Sequence, residues 1–213
     1  MGPVQQCEAL FLFAITKVLQ PRIILEFGFN RGQSARNFLA AAPSTAEVHS
    51  FDISPHSAAI ARQLSYDKRL HFHHKSQADF IPGDIGHRKA DLVFIDASHD
   101  LLLNQETWKR LTPCLNDNCV VVVHDTGTWA RGAMRDMHFQ FAASPPTAAG
   151  WVSADEFAHQ LDERRFVNWI CDSDPSFNII HLHTTQVLRH GLSLLQRTHP
   201  LRTDVTLTQP QTG

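Results

Sequence analysis

A chain of 213 residues with 43% hydrophobic content is long enough to bury one full core and short for two domains. Its net charge of -2, from 19 basic and 21 acidic side chains, provides no positive field to attract nucleic acid or an anionic membrane. The longest apolar run, Ala9 to Ile15, is too short to span a bilayer and lacks the basic start of a secretory signal. Because the four cysteines include no C-x-x-C pair, neither a zinc knuckle nor a disulfide framework is indicated. These bounds predict one α/β domain in the cytoplasm, acting on a small molecule.

The first predicted element is an N-terminal helix within residues 1–21. Apolar residues recur at helical spacing from Val4 to Val18, and Pro21 ends the pattern. We place the single domain at residues 1–188, followed by a C-terminal helix and a mobile tail in residues 189–213.

A glycine-spaced turn follows, between the apolar strand Ile23 to Phe27 and a helix at Ser34 to Ala42. Gly28 would let a ligand approach the backbone, Gly32 would permit a sharp reversal, and the free N–H groups of the helix would attract an anionic group. The dinucleotide pattern G-x-G-x-x-G is absent, which weighs against a nicotinamide or flavin. Another nucleotide cofactor and an ordinary strand–turn–helix corner both remain open.

An acidic residue, Asp52, ends the second predicted strand, Glu47 to Phe51. It lies about one βαβ unit beyond Gly32, where a carboxylate at a strand end can accept both hydroxyls of a ribose. The alternative is that Asp52 is a helix N-cap, because Pro55 suits the first turn of the next helix.

Three histidines belong to the third predicted strand, Leu70 to Lys75, which follows a helix at His56 to Tyr66. His71 and His73 share one face of this strand, whereas His74 points the other way. Since no carboxylate is interleaved with them, we predict surface histidines rather than a metal site.

Two buried strands each lead to an acidic residue. Ala90 to Ile95 is followed by Asp96, and Cys119 to Val123 is followed by His124 and Asp125, with a helix at 101–111 between the strands. Ligands of open α/β sheets bind at the carboxyl ends of the strands, so these residues are candidates for a site.

The last third of the chain has weaker patterns. We predict a helix at Arg131 to Phe141, a loop at Ala142 to Gly150, a helix at Ala154 to Leu161, and an antiparallel pair of strands at Phe166 to Ile170 and Phe177 to Leu182.

Four ordered motifs together resemble a known family: E-x-G-x-x-x-G-x-S, F-D, D-L-V-F-I-D-x-x-H and V-V-V-H-D-T. They are similar to those of small class I S-adenosylmethionine-dependent methyltransferases, a family that includes macrocin-type sugar O-methyltransferases and cephalosporin-hydroxylase-like proteins. The resemblance covers residues 22–127, and residues 150–184 more weakly. It implies an α/β, Rossmann-like, doubly wound and mostly parallel seven-stranded sheet with an antiparallel final strand.

The resemblance also implies roles for individual residues. In metal-dependent members, a divalent ion is held by acidic residues after the fourth and fifth strands; this chain departs from them by having a histidine at position 124. The implied cofactor-binding residues are Glu26, Gly28, Asn30, Gly32, Ser34, Asp52, Ser76, Gln77 and Asp96, and the implied metal ligands are Asp96, His124 and Asp125. Two carboxylates and an imidazole suit Mg²⁺ or Mn²⁺. Our candidate catalytic residues are Asp96, His99 and His124, because either histidine could remove the proton of an acceptor hydroxyl.

The predicted function is transfer of a methyl group from S-adenosylmethionine to a hydroxyl of a small molecule, such as a sugar or a natural product, with or without a divalent metal. Two alternatives stay open: a non-catalytic S-adenosylmethionine-binding module and an atypical NAD-dependent oxidoreductase. We expect no nucleic-acid or membrane partner, and a homodimer is left open.

Overall fold

The computed structural model of the protein describes residue 4 and residues 6–126, 162–183 and 191–198. The predicted elements at 131–141, 142–150 and 154–161 and the tail after residue 198 lie outside the described residues. Within these residues, no helix is both long and apolar enough to cross a membrane. The helices are α1 (Gln6–Leu19), α2 (Gln33–Ala41), α3 (Pro55–Gln63), α4 (Leu101–Leu111) and α5 (Asp162–Ser173). The strands are β1 (Ile23–Phe27), β2 (Glu47–Phe51), β3 (Leu70–His73), β4 (Ala90–Ile95), β5 (Leu115–His124), β6 (Phe177–His183) and β7 (Gly191–Arg197).

The seven strands form one sheet in the order β3-β2-β1-β4-β5-β7-β6. Strands β1 to β5 run parallel, and β7 is antiparallel to both of its neighbours, β5 and β6. The predicted fold class is therefore confirmed. The order differs from the 3-2-1-4-5-6 order of dinucleotide-binding domains, because an antiparallel strand is inserted beside β5.

Helices cover both faces of the sheet, as the alternation of side chains along each strand requires. On the face that we call the α1 face, Ile24 of β1 packs with Leu12 of α1 and Phe38 of α2. On the opposite α4 face, residues including Leu25 pack with Trp108 of α4 and with α5. The strand ends between these two layers are where the candidate site lies.

Two predictions near the C-terminus are wrong. The segment Phe166–Ile170, predicted as a strand, lies within α5, because Phe166, Val167 and Ile170 recur at helical spacing and are all buried on one side. The helix predicted within residues 189–213 is contradicted at Gly191–Arg197, which is strand β7. Leu192 and Leu195 of β7 enter the cores on opposite faces of the sheet. The sheet therefore extends past residue 188, where we placed the end of the domain.

Candidate active site

The turn after β1 requires glycine at position 28 for a reason that we did not expect. Gly28 has φ +101, and a Cβ atom built there would lie 2.1 Å from the backbone oxygen of Asp96. The Gly28 N–H also donates to the carbonyl oxygen of Phe51, at 2.9 Å. A side chain at position 28 is thus excluded by the end of β4 as well as by any ligand that occupies the cleft.

The reversal predicted at Gly32 is confirmed. Gly32 has φ +69, and its N–H donates to the carbonyl oxygen of Phe29 at 2.7 Å. A Cβ atom at this position would lie 2.6 Å from the Phe29 ring, which is buried. The turn therefore closes tightly over its own aromatic residue before α2 begins at Gln33.

Asp52 holds the glycine turn against the end of β2. Its Oδ2 accepts the N–H of Asn30 and its Oδ1 accepts the N–H of Ser54, both at 2.8 Å. The N-cap of α3 is Ser54, so the N-cap alternative for Asp52 is wrong. The carboxylate is fixed by two backbone donors and stays half-exposed at the wall of a cleft.

This cleft has a volume of about 290 Å³ and lies beyond the carboxyl ends of β1, β2 and β4. Such a position is where ligands bind in open α/β sheets. Phe51, Ile53 and Leu103 contribute apolar wall, and Lys75, Ser98 and His99 contribute polar groups. Of the nine predicted cofactor residues, six line the cleft: Gly28, Asn30, Asp52, Ser76, Gln77 and Asp96.

Glu26 is one of the three predicted cofactor residues that do not line the cleft; the others are Gly32 and Ser34. It is fully buried, and its Oε2 accepts a hydrogen bond from Ser50 of β2 at 2.5 Å. Burial raises the pKa of Glu26 to about 7, although hydrogen bonds from Ser34 and Ser50 oppose the rise. Glu26 therefore ties β1 to β2 and α2 behind the glycine turn.

Gln77 lines the cleft, but its amide is engaged elsewhere. Its Nε2 donates to Asn104 at 2.7 Å and to Thr107 at 2.9 Å, and its Oε1 accepts the N–H of Ser98 at 3.2 Å. Ser76 is bound more loosely, accepting the N–H of Ala78 at 3.2 Å. Gln77 thus supports the loop after β4, and Ser76 is the better candidate for a hydrogen bond to a ligand.

The predicted group Asp96, His124 and Asp125 is brought together by the register of two strands. Ile95 pairs with Val123, so the next residues, Asp96 and His124, lie side by side on the α1 face. His124 Nδ1 is 3.1 Å from Asp96 Oδ1 and 3.3 Å from Asp125 Oδ1. Asp125 has φ 58, in the left-handed region, which turns its carboxylate back towards the histidine.

A fourth member of this cluster, Glu8, comes from α1 and was missed by the sequence analysis. Its Oε2 lies 2.9 Å from His124 Nε2, and the residue is only 3% exposed. Glu8, Leu12 and Thr16 form the buried stripe of α1, whereas Val18, which we included in that stripe, is 81% exposed. The sequence signal that could have found Glu8 is its position four residues before Leu12, which places both side chains on the same face of the helix.

The cluster keeps His124 protonated. Burial alone would lower the pKa of His124, but the carboxylates of Asp96, Glu8 and Asp125 outweigh it and raise this pKa well above its usual value. Both ring nitrogens then donate, one to Asp96 and one to Glu8. Burial raises the pKa of Asp96, and the His124 charge opposes that rise. A raised pKa of His124 weighs against its acting as the proton acceptor at neutral pH, a role that stays a prediction.

His99, in contrast, lines the cleft, and among the described residues its ring contacts the carboxylate of Glu163. Its Nδ1 contacts Oε1 of Glu163, a buried residue of α5. A carboxylate at Nδ1 fixes the tautomer of a neutral imidazole and leaves the lone pair on Nε2. Glu163 was missed because no local pattern indicates that α5 packs against the loop after β4. His99, Asp125 and Glu163 also have ligand atoms within 4.8 Å of one another.

The fold of this chain is also that of several solved proteins. The O-methyltransferase from Bacillus cereus in complex with SAH has a TM-score of 0.67 and 17% identity, over 92% of this chain and 83% of that one. TomG from Streptomyces achromogenes, involved in tomaymycin synthesis and solved with SAM, has a TM-score of 0.66 and 16% identity, over 92% and 82%. Cofactor-bound Rv0187 from MTB has a TM-score of 0.67 and 19% identity, over 92% and 81%.

The sequence itself matches a family. Residues 25–126, from β1 to the end of β5, match the family model described as a methyltransferase domain. No curated protein matches the chain. Residues 25–126 are therefore similar to a methyltransferase domain, in agreement with the resemblance that the motifs indicate.

Proposed function

We propose that this protein transfers a methyl group from S-adenosylmethionine to a hydroxyl oxygen of a small molecule. The observation that carries the proposal is that the cluster of Asp96, His124 and Asp125 meets the cleft of a methyltransferase domain at Asp96. Solved proteins of the same fold are O-methyltransferases with SAM or SAH bound. A sugar or a natural product is the substrate class that we expect, with no nucleic acid or membrane; a homodimer remains a prediction.

The cleft suits the cofactor. Each oxygen of Asp52 accepts one backbone N–H and keeps acceptor capacity for a ribose hydroxyl. Phe51, Ile53 and Leu103 offer apolar contacts to an adenine ring, and Ser76 offers a hydroxyl. When bound, the cofactor supplies a methyl group on a sulfonium, which an acceptor oxygen attacks in line. The protein contributes by holding that oxygen in position and by removing its proton.

The cluster at the strand ends also suits a divalent metal. Ligands about 2.1 Å from an octahedral ion lie about 3.0 Å apart, close to the 3.1 and 3.3 Å that separate His124 Nδ1 from the two aspartate oxygens. Glu8 at Nε2 is the outer carboxylate that orients metal-bound histidines. One imidazole among carboxylates favours Mn²⁺ over Mg²⁺. A cation here would lower the pKa of a bound hydroxyl.

His99 is positioned to accept the proton of the hydroxyl. It lines the cleft three residues after Asp96, and Glu163 holds its Nδ1. Nε2, the ring nitrogen that carries the lone pair, would then take the proton, with the Glu163 carboxylate stabilising the resulting imidazolium. Asp96 connects the cofactor cleft to the candidate metal cluster, because it borders the cleft and contacts His124.

Release of SAH from S-adenosylmethionine, measured over a panel of sugar and phenolic hydroxyl acceptors, tests the proposal. We expect turnover that excess chelator abolishes and Mn²⁺ restores. Asp125→Asn should lower turnover by more than about 100-fold, because it removes a metal ligand. The control Asp117→Asn changes an exposed aspartate of the same strand and should leave turnover unchanged.

Two results would contradict parts of the proposal. Full turnover in excess chelator would show that the reaction needs no metal ion. His99 would then be the group that removes the proton. Tight SAH binding with no transfer to any acceptor, with or without Mn²⁺, would favour the non-catalytic binding module.

A further inference from the structure

A second group of histidines and a carboxylate lies on the opposite face of the sheet, remote from the strand-end cluster. Glu47 and His49 come from β2, and His71 and His73 come from β3. The parallel register pairs His49 with His71, so their rings stack with centroids 4.6 Å apart. Because β2 alternates its side chains, these residues share the α4 face with Phe51, whose ring stacks on His73. We call this group the β2–β3 cluster.

Three ligand atoms of the cluster converge. Glu47 Oε2 lies 3.2 Å from His49 Nε2 and 3.4 Å from His71 Nε2. Ligands about 2.0–2.1 Å from a tetrahedral ion are separated by about 3.3–3.4 Å, which these two distances approach. All three ligand atoms lie within 4.8 Å of one another. The His71 side chain is 42% exposed, which leaves an entry path and a fourth position open to solvent.

The ligands are already oriented by neighbouring groups. His49 Nδ1 is 3.2 Å from His73 Nε2, which leaves Nε2 of His49 directed at Glu47. Arg88 donates to both oxygens of Glu47, at 2.7 and 2.5 Å. Outer contacts of this kind fix the ring and carboxylate orientations in metal sites.

The charge states also suit a metal. Hydrogen bonds from Arg88 lower the pKa of Glu47 to about 2, so this carboxylate is ionised at neutral pH. Burial, with the two neighbouring histidines, lowers the pKa of His49 to about 4, so its ring is neutral and has a lone pair. A neutral imidazole and an ionised carboxylate are the forms that bind metals.

We propose that Glu47, His49 and His71 bind a Zn²⁺ ion, with His73 orienting His49. Two imidazoles and one carboxylate are a ligand set for zinc and not for Mg²⁺, which prefers oxygen ligands. The ion would join β2 to β3 near the edge of the sheet and stabilise the folded protein by mass action. This site lies on the other face from Asp96, and it is independent of the proposed methyl transfer.

The test measures Zn²⁺ affinity by competition with a fluorescent zinc chelator. All variants carry Asp125→Asn, which weakens the other candidate metal site. In this background we expect one Zn²⁺ per chain, which excess Mg²⁺ does not displace. Adding His71→Ala should weaken Zn²⁺ binding by at least about 10-fold. The control His74→Ala, next to this cluster but bonded to the Ile53 carbonyl, should leave the affinity unchanged.

A second measurement does not depend on any variant. Crystals of the unmodified protein soaked in Zn²⁺ should show an anomalous peak between Glu47, His49 and His71. Equal Zn²⁺ affinity with and without His71→Ala, or the absence of that peak, would overturn the proposal.

Discussion

Two buried histidines on opposite faces of the same sheet have opposite pKa shifts. His124 is 1% exposed and His49 is 3% exposed, so burial alone would lower the pKa of both. The pKa of His124 is nevertheless raised, because Glu8, Asp96 and Asp125 surround it. That of His49 is lowered to about 4, because burial is reinforced by His71 and His73, whereas Glu47 is shared with Arg88. At similar burial, the charged partners of a histidine therefore decide whether its pKa is raised or lowered.

The difference has a functional consequence. In the strand-end cluster, the His124 imidazolium takes the place of a cation among carboxylates, so a metal must displace its proton to bind there. In the β2–β3 cluster, the lowered pKa of His49 keeps its ring neutral, so no such displacement is needed at this ligand. The strand-end site should therefore bind metal more weakly as the pH falls.

The largest effect should come from removing the carboxylate that faces His124 Nε2. Glu8→Gln leaves a buried imidazolium with one fewer counter-charge, and loss of one partner from a buried pair costs about 3 kcal/mol or more. Urea unfolding at pH 7 measures this loss. Glu106→Gln, which breaks an exposed pair with Lys109, should leave the free energy of unfolding nearly unchanged. Equal effects of the two variants would refute the idea that Glu8 holds a charged His124.

The opposite shifts also predict opposite pH dependence of stability. The folded-state pKa of His49 is below its unfolded value, so the unfolded chain takes up the proton first. Stability therefore falls as the pH drops from about 6.5 to about 4. His124 has a raised folded-state pKa, so its contribution is complete below about pH 6.5 and is lost as the pH rises through the folded-state value.

Unfolding free energies from pH 4.5 to 9, measured in chelator, test this assignment. His49→Gln should flatten the acid side of the profile, and His124→Gln should flatten the alkaline side. His56→Gln, at an exposed position, serves as the control and should change neither side. Profiles that keep their shape in both buried variants would contradict the assigned charges.

The sequence was sufficient to locate the residues that follow buried strands. Apolar runs in β4 and β5 predicted where Asp96, His124 and Asp125 emerge, because parallel strands end at a common edge. It was not sufficient for Glu8 and Glu163, which reach the site from α1 and α5 through tertiary packing. No local pattern specifies which helix lies over a strand end.

The β2–β3 cluster shows the same limit at the level of strand pairing. The alternation of β3 correctly placed His71 and His73 on one face and His74 on the other. Because β3 itself contains no carboxylate, we interpreted these residues as surface histidines. The carboxylate that β3 lacks comes from Glu47, and His49 joins it, through a register that a single strand does not reveal. Near the C-terminus, the spacing of Leu192 and Leu195 at i and i+3 is compatible with a helix. Their segment is nevertheless a strand, because it pairs with β5 and β6.

Calorimetry with SAH, NAD and NADP side by side tests the central claim most directly, because the claim is that the cleft binds S-adenosylmethionine. We predict binding of SAH and no binding of NAD or NADP. Asp52→Ala should weaken the binding of SAH by about 1–3 kcal/mol, because charge-assisted hydrogen bonds to the ribose are lost. Asp79→Ala, at an exposed position after β3, should leave the affinity unchanged. Binding of NAD in place of SAH, or unchanged SAH affinity in folded Asp52→Ala, would contradict the account.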